Sequence, residues 1–184
     1  MRIVGGSHGG RVLRAPRGAA TRPTSEKVRE AIFNILETMR RSGPGARVLD
    51  LFAGSGALGI EALSRGAAHA TFVDTGGAAL AAIRGNLREL SLTERATILA
   101  MDAVAAARMP PPSPWTHVFI DPPYASDLAV RAALALPLAS LAPGAVIVIE
   151  HDRRGAPPEV LGSLLRTDQR RYGDTMVSFF EVPA

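Results

Sequence analysis

Residues 48–63, VLDLFAGSGALGIEAL, have the pattern of a buried strand, a glycine-rich turn and a helix. Gly54, Gly56 and Gly59 match the spacing G-x-G-x-x-G, in which glycine lets the backbone approach a bound ligand closely. Because nicotinamide-dependent oxidoreductases use the same spacing, the glycines alone do not identify the ligand. The stretch nevertheless predicts the strand–loop–helix unit of an open α/β sheet.

Asp50 lies just before the glycine loop and narrows the choice of ligand. A pyrophosphate bound at the loop would meet this carboxylate and be repelled by it. A ligand that carries an amino group and a sulfonium, and no phosphate, would tolerate the carboxylate and could use it. S-adenosylmethionine is such a ligand and is the predicted cofactor. The alternative role for Asp50 is to cap the turn.

The chain after residue 46 alternates between short apolar runs and stretches with helical spacing. Strands that are apolar on both faces and alternate with helices indicate a parallel sheet covered on both sides. The predicted strands are 47–52, 70–74, 97–101, 116–120 and 145–150. The predicted helices between and after them are 57–65, 77–90, 127–141 and 157–165.

Both ends of the chain depart from this alternation. At the C-terminal end, two strand-like runs flank Gly173-Asp174 and predict an antiparallel hairpin at the edge of the sheet. At the N-terminal end, residues 1–24 form a basic arm, and residues 25–41 form an amphipathic helix with Thr24 as its expected N-cap. We therefore predict a single domain over 1–184, with an α/β core in 46–184.

The composition excludes several kinds of site. The 184 residues contain no cysteine, which rules out disulfides, zinc–thiolate sites and thiol nucleophiles. The four histidines form no i, i+4 pair, so we predict no metal site. No signal peptide and no uninterrupted apolar run of membrane-spanning length is visible, so the expectation is a soluble cytoplasmic protein without membrane contact.

The net charge of +4 is unevenly distributed along the chain. Residues 1–47 hold ten Lys/Arg and three Asp/Glu, whereas the remainder holds eleven and fourteen. A basic arm on a mildly acidic body favours binding to a polyanion, although a solvated tail would have the same composition. The arginines expected to contact phosphates are Arg2, Arg11, Arg14, Arg17 and Arg22. Arg22 and Arg29 flank the start of the first helix, where they either face the substrate pocket or only solvate that helix.

Four acids lie at or near the carboxyl ends of four of the predicted strands: Asp50, Asp74, Asp102 and Asp121. In an open α/β sheet, ligands bind outside the carboxyl ends of the strands. We therefore expect these acids at one edge of the sheet, around one ligand. Any one of them alone could be a helix N-cap, which is a common role for aspartate after a strand.

The stretch HVFIDPPYASD, residues 117–127, stiffens the backbone directly after a strand. Pro122 and Pro123 fix two φ angles and remove two donors, so neither a helix nor a sheet ladder can continue through them. The Asp121 side chain and a fixed backbone carbonyl are two acceptors suited to the two hydrogens of an exocyclic amine. Tyr124 offers a face on which a base can stack. A tight turn with Tyr124 in the core is the alternative.

These motifs together resemble the amino-methyltransferases that use S-adenosylmethionine, and in particular the bacterial RsmD family of 16S ribosomal RNA guanine-N2 methyltransferases. The similarity covers nearly the whole chain. It includes the N-terminal segments, which no common motif explains. It rests on RIVGGSHGGRVL, RPTSEKVREAIFNIL, LDLFAGSGALGIEALSRGA and FIDPPY, in this order.

The resemblance implies a Rossmann-like class I methyltransferase fold with a seven-stranded, mostly parallel sheet. It also implies that Asp121, Pro122, Pro123 and Tyr124 form the catalytic motif, in which Asp121 and Pro122 hold the N2 amine of a flipped-out guanine and Tyr124 stacks on the base. The loop with Asp50, Phe52, Ala53, Gly54, Ser55 and Gly56 would hold the methionine part of the cofactor. The ribose would contact Asp74, and the adenine would contact Asp102 and Ala103.

The chain departs from the family pattern at two places. Many relatives carry Glu at the position of Asp74 and a second acid at that of Gly76, so the ribose contacts could be rearranged or the cofactor bound more weakly. Relatives often have Phe in place of Tyr124, which should preserve the stacking. The resemblance also implies 16S ribosomal RNA as the partner, within a small ribosomal subunit or an assembly intermediate, and a monomeric enzyme.

Three other functions compete with this prediction. An amino-methyltransferase for adenine N6 or cytosine N4 would use the same tetrapeptide, although the chain leaves little room for a separate DNA-recognition domain. A nicotinamide-dependent oxidoreductase would explain neither Asp50 nor the Asp-Pro-Pro-Tyr motif. An RNA-binding module without activity would explain the basic arm but not the four acids.

Overall fold

The computed structural model describes residues 1–16, 25–39, 43–123 and 127–183. Eight strands form one sheet in the order β3-β2-β1-β4-β5-β8-β7-β6. The first five are β1 Arg47–Leu51, β2 His69–Asp74, β3 Ala96–Ala100, β4 Trp115–Ile120 and β5 Leu141–Asp152. The last three are β6 Val160–Leu161, β7 Leu164–Tyr172 and β8 Thr175–Glu181. Strands β1 to β5 pair in parallel, which confirms the prediction from the apolar runs.

In the described ranges, five α-helices connect the parallel strands or precede them: α1 Glu26–Thr38, α2 Ala57–Ser64, α3 Gly77–Glu89, α4 Ala103–Ala107 and α5 Leu128–Ala135. Buried residues of α1, α2 and α3 form one hydrophobic cluster with one face of the sheet. Buried residues of α4 and α5 form a second cluster with the other face. Because both faces of the parallel strands are covered, these strands are apolar on both sides. None of the helices in the described residues is both long and apolar enough to cross a membrane.

The C-terminal hairpin is antiparallel, as predicted, and β8 lies between β5 and β7. The predicted helix at 157–165 is wrong, because this part of the chain contains β6 and the start of β7. Val160 pairs with Leu165 and Leu161 with Leu164 around a two-residue loop, in which Gly162 has φ 59°. Glycine adopts this left-handed conformation without strain, and such loops join antiparallel strands. The additional strand β6 raises the number of strands from the expected seven to eight.

Two of the predicted helix boundaries also change. Helix α5 ends at Ala135, and a short 3-10 helix, Leu138–Ser140, follows Pro137. Proline disfavours a helical conformation in the residue before it, so the predicted continuation to residue 141 is interrupted. The N-cap of α1 is Ser25, whose side chain accepts a hydrogen bond from the Val28 N–H at 3.2 Å. Thr24, the expected cap, lies outside the described residues.

Residues 1–14 form a hairpin, here called the N-terminal hairpin, that packs on the body of the protein. Arg2 and Val12 form an antiparallel bridge, and the Ile3 N–H donates to the Arg11 carbonyl at 2.9 Å. Ile3 and Leu13 are buried, with only 1% and 2% of their surfaces exposed. The possibility of a purely solvated tail is therefore wrong for this part of the arm.

Glu61, on α2, fixes the N-terminal hairpin to the body. Its carboxylate is fully buried and accepts the backbone N–H groups of Val4 and Gly5, each at 2.8 Å. It also pairs with the guanidinium groups of Arg29, at 3.3 Å, and Arg65, at 2.9 Å. The carboxylate thus provides acceptors for two backbone N–H groups of the hairpin. In turn, these two groups and the two guanidinium groups compensate the cost of burying the carboxylate.

Candidate active site at the carboxyl edge of the sheet

The glycine loop joins β1 to α2 in a conformation that needs small residues. Gly54 and Gly56 have φ angles of 57° and 78°, in the left-handed region that glycine adopts readily. Gly59 has a different function, since a Cβ atom there would lie 2.4 Å from the ring of Phe72. The third glycine of the pattern therefore allows α2 to pack closely on β2. Phe52 also has a positive φ, 63°, which is uncommon for a bulky residue.

Asp74 connects the glycine loop to the end of β2. Its Oδ2 accepts the Gly54 N–H at 2.9 Å, and its Oδ1 accepts the Gly76 N–H at 2.8 Å. Each carboxylate oxygen can accept a second hydrogen bond, so both still have capacity for a ligand hydroxyl.

Asp50 is buried within the site, with 1% of its surface exposed. Its Oδ2 accepts the N–H of Gly59, in the first turn of α2, at 2.9 Å. This bond agrees with the alternative role of a turn cap and leaves room for a contact to a ligand. The pKa of Asp50 is raised to about 7, chiefly by burial; the hydrogen bond from the Gly59 N–H lowers it, and the charges of Asp121 and Asp74 add to the increase.

Because Asp50 holds its proton more tightly when folded, we expect the Asp50→Asn variant to be more stable than the original protein at high pH. Between the unfolded pKa of 3.8 and the folded pKa of about 7, the folded state binds a proton that the unfolded state has lost. Rising pH therefore favours unfolding over this interval, and the full cost is present above pH 7. At about 1.4 kcal/mol per pKa unit, the gain for Asp50→Asn should be on the order of 4 kcal/mol at pH 8.

Urea denaturation of both proteins at pH 5 and pH 8 measures this difference. The stability gain should be larger at pH 8. A gain that is equal at the two pH values would contradict a raised pKa. Asp102→Asn is the matched control, because this exposed aspartate is at the same edge and asparagine is also a good N-cap.

Asp121, Pro122 and Pro123 follow directly after β4, which pairs with β1 in the sheet. Asp50 is opposite Phe119 in this pairing, so Asp121 lies two positions further towards the carboxyl edge. The effect of Asp121 on the pKa of Asp50 agrees with this proximity. Pro122 is half-buried and Pro123 is exposed. Tyr124, the predicted stacking residue, lies outside the described residues.

Asp102 and Ala103 lie after β3, at the same edge of the sheet. The Oδ1 atom of Asp102 accepts the Ala105 N–H at 2.9 Å and caps α4, a short helix that the hydrophobic pattern did not predict. Ala103 is buried as the first residue of that helix. Asp102 therefore has the role of helix N-cap, the alternative that the sequence leaves open for each of the four acids. Its Oδ2 atom is not used by the cap.

The described arginines of the hairpin are exposed, but they already have partners on the protein. Arg14 forms an ion pair with Glu89, and Arg11 donates to the Glu89 carbonyl at 3.3 Å. Arg2 donates to the Gly10 carbonyl at 2.9 Å. Because these interactions are exposed, they cost little to exchange for contacts with phosphate. Arg17 and Arg22 lie outside the described residues.

The predicted substrate contact of Arg29 is wrong in this structure, and so is the alternative that Arg29 solvates α1. Its side chain is fully buried and pairs with Glu61. Its Nη2 atom also donates to the Arg2 carbonyl. A charged group that is enclosed in this way is held by its buried counter-ion and cannot reach a bound RNA.

Glu61 and Asn86 are buried polar residues of this region that were not among the predicted site residues. Glu61 fixes the hairpin, as described above. Asn86, on α3, is 1% exposed and makes hydrogen bonds to both the hairpin and the glycine loop. The sequence contains an indication of both, because each is a polar residue on the apolar side of a helix. No group of three or more His, Asp or Glu that could hold a metal is found among the described residues.

Comparisons with known proteins identify the family. A family model described as "Conserved hypothetical protein 95" matches residues 1–181. The chain is 42% identical to "Putative rRNA methyltransferase YlbH" of Bacillus subtilis, over 98% of each protein. It is 39% identical to "Ribosomal RNA small subunit methyltransferase D" of Escherichia coli, over 70% of this chain and 62% of that protein.

The similarity extends to solved structures. "Putative methyltransferase yhhF" from Escherichia coli superposes with a TM-score of 0.85 and 33% identity, over 100% of this chain and 98% of the other. This match confirms the expected class I methyltransferase fold, with the eighth strand as its one difference from the predicted sheet. The chain therefore belongs to the family described as conserved hypothetical protein 95, which is the RsmD family that its motifs resemble.

Proposed function

We propose that this protein transfers a methyl group from S-adenosylmethionine to the exocyclic N2 amine of a guanine in 16S ribosomal RNA. The observation that carries the proposal is the position of Asp121-Pro122-Pro123 after β4, next to the buried Asp50 and the glycine loop. The names of the relatives from B. subtilis and E. coli, which refer to methylation of ribosomal RNA, support the substrate class.

The residues at the carboxyl edge suit S-adenosylmethionine. Asp50 is a buried carboxylate whose ionised form a cationic ligand would stabilise, because opposite charges attract strongly where water is excluded. Asp74 has acceptor capacity for the ribose hydroxyls, and Asp102 with Ala103 would border the adenine. The glycine loop would line the pocket for the methionine part of the cofactor, with Phe52, Ala53, Gly54, Ser55 and Gly56.

On the substrate side, the chain positions the amine. The Asp121 carboxylate and the Pro122 carbonyl would accept the two hydrogens of the guanine N2 amine, so that its lone pair points at the cofactor. The bound cofactor supplies an electrophilic methyl group on sulfur. Asp121 or water would take the proton that the nitrogen loses on alkylation. Tyr124 would stack on the flipped-out base.

The target guanine has to leave any duplex to reach this edge, and the substrate would therefore be a single-stranded or opened region of the RNA. We propose that the enzyme acts as a monomer in the cytoplasm, on a small ribosomal subunit or on an assembly intermediate. Arg2, Arg11 and Arg14, with Arg17 and Arg22, would contact phosphates and leave the choice of base to the pocket.

Mapping of methylated guanines in ribosomal RNA tests the function directly. Cells that lack the protein should lose one N2-methylguanine in 16S ribosomal RNA, and the purified protein with S-adenosylmethionine should restore it. Restoration at an adenine or a cytosine would favour another amino-methyltransferase. Calorimetry with S-adenosylmethionine, S-adenosylhomocysteine and NAD separates the cofactors, and binding of NAD alone would overturn the proposal.

Neutralising Arg11 and Arg14 together, as Arg11→Ser/Arg14→Ser, should weaken RNA binding and reduce its salt dependence. Each lost phosphate contact lowers the slope of log K against log salt by about 0.7 for single-stranded RNA. Filter binding between low and moderate salt measures the slope. Arg108→Ser/Arg131→Ser is the matched control, because it removes the same charge from exposed positions at α4 and α5, on the opposite face of the sheet. Equal slopes in both variants would remove the hairpin from the RNA interface.

A further inference from the structure

Asn86 uses its whole side-chain amide to join two parts of the protein that are far apart in sequence. Its Oδ1 accepts the Arg14 N–H at 2.8 Å, and its Nδ2 donates to the Arg14 carbonyl at 3.1 Å. The same Nδ2 donates to the Ser55 carbonyl at 3.0 Å. An asparagine amide has two N–H donors, and here each has an acceptor. Asn86 therefore binds the N-terminal hairpin and the glycine loop simultaneously.

On the loop side, the contact fixes the peptide at the centre of the glycine loop. Ser55 lies between Gly54 and Gly56, and these glycines, which have no Cβ atom, can adopt many backbone conformations besides the positive φ angles seen here. The Ser55 carbonyl belongs to the peptide plane that includes the Gly56 N–H, which donates to the Ala53 carbonyl at 2.7 Å. The hairpin also contacts Ser55 directly, because the Met1 sulfur is 3.5 Å from the Ser55 hydroxyl.

On the hairpin side, the contact holds the backbone of an exposed arginine. The Arg14 side chain points to the surface, where it pairs with Glu89 one turn further along α3. Its backbone N–H and carbonyl are both bound by Asn86, so the amide acts like a one-residue extension of a β-ladder. A displacement of Arg14 by a bound phosphate would thus move an amide that also holds the glycine loop.

We propose that Asn86 is a positioning residue that couples RNA binding at the N-terminal hairpin to the cofactor loop. The inference rests on the proposed function, because it requires RNA at Arg14 and S-adenosylmethionine at the loop. Coupling between two ligands is reciprocal, so RNA should change the affinity for the cofactor by the same factor as the cofactor changes the affinity for RNA.

The test measures the dissociation constant of S-adenosylhomocysteine with and without 16S ribosomal RNA from cells lacking the protein. For the original protein we expect binding about five-fold or more tighter with RNA, the lower end of typical coupling between sites. In Asn86→Asp, the acceptor for the Arg14 N–H stays but both donors are lost, so the ratio should fall to within about two-fold of one. In Asn86→Ala the ratio should fall in the same way.

Leu87→Ala is the matched control for a loss of stability. Leu87 is the next residue on α3, is 1% exposed and belongs to the core cluster. A core truncation lowers the melting temperature, but it should leave the ratio of the two dissociation constants unchanged, since the ratio refers to folded protein. A merely structural Asn86 would behave like Leu87.

The outcomes separate this inference from the proposed function. A ratio of one in the original protein, with normal methylation of guanine, overturns the coupling alone and needs no variant. A normal ratio in Asn86→Asp also overturns it. Failure of the original protein to bind S-adenosylhomocysteine or to methylate the RNA overturns the proposed function itself.

Discussion

Asp121→Ala should lower the rate constant for methyl transfer by about 10²- to 10³-fold, the size of effect that follows from removing one positioned group at a reacting centre. The variant loses one of the two acceptors proposed for the guanine amine. The amine can then rotate, and its lone pair is no longer held towards the methyl group. Single-turnover methylation of 16S ribosomal RNA measures this rate without interference from product release.

Cofactor binding should survive the same substitution. Asp121 contributes a negative charge that raises the pKa of Asp50. Its removal therefore makes Asp50 easier to ionise, which favours a cationic ligand. We expect the dissociation constant of S-adenosylmethionine to stay within about three-fold or to decrease, because electrostatic coupling between neighbouring groups is of this order. Loss of cofactor binding in parallel with turnover would mean that Asp121 belongs to the cofactor site.

Two further variants define the role of Asp121. Asp127→Ala removes an equal charge from an exposed side chain at the start of α5 that makes no capping bond, and it should leave the rate unchanged. Asp121→Asn keeps one side-chain acceptor and cannot take a proton, so a loss of only about ten-fold would indicate positioning rather than base catalysis. If Asp121→Ala turns over at a rate close to that of the original protein, the result would contradict the proposed mechanism.

The sequence allowed the sheet edge to be predicted because its signals are local. A strand, an acid and a glycine turn can be recognised from a few consecutive residues. The carboxyl ends of parallel strands must then lie at one edge of the sheet. Asp50, Asp74, Asp102 and Asp121 accordingly lie in or after β1, β2, β3 and β4, as expected. Their roles toward a cofactor and a base remain proposals.

The wrong predictions concern contacts between residues that are distant in sequence, or backbone conformations that the spacing of apolar residues does not indicate. The apolar residues at 157–165 have helical spacing, but Gly162 closes a hairpin there instead. The sequence predicts an exposed Arg29, since nothing near it in sequence indicates a buried partner. That partner, Glu61, is 32 residues further along the chain.

Glu61 could have been suspected from its own surroundings. It is the one charged residue of α2, all of whose residues are buried. A lone acid inside a buried helix requires donors from elsewhere, because an unpaired buried carboxylate would be costly. The sequence therefore indicates that a partner exists but not which one. The same reasoning applies to Asn86 on the apolar side of α3.

The second large effect is expected for Glu61→Ala, which should reduce the free energy of unfolding by about 3–5 kcal/mol, as for the loss of one partner of a buried ion pair. The substitution leaves the fully buried guanidinium of Arg29 without its carboxylate. It also removes the acceptor of the Val4 and Gly5 N–H groups, so that the N-terminal hairpin loses two of its hydrogen bonds to α2. Urea denaturation measures the loss of stability.

Amide hydrogen exchange distinguishes a loosened hairpin from a globally weakened protein. In Glu61→Ala, amides in residues 2–13 should exchange faster than those of β1 and β4, and RNA affinity should fall with them. Glu89→Ala is the matched control, because Glu89 pairs with Arg14 of the same hairpin at an exposed site, where an ion pair contributes about 1 kcal/mol or less. If the two variants lose equal stability, or if the hairpin amides stay protected without Glu61, then the apolar contacts of Ile3 and Leu13 and the hydrogen bonds of Ser64 hold the hairpin, and the buried carboxylate does not.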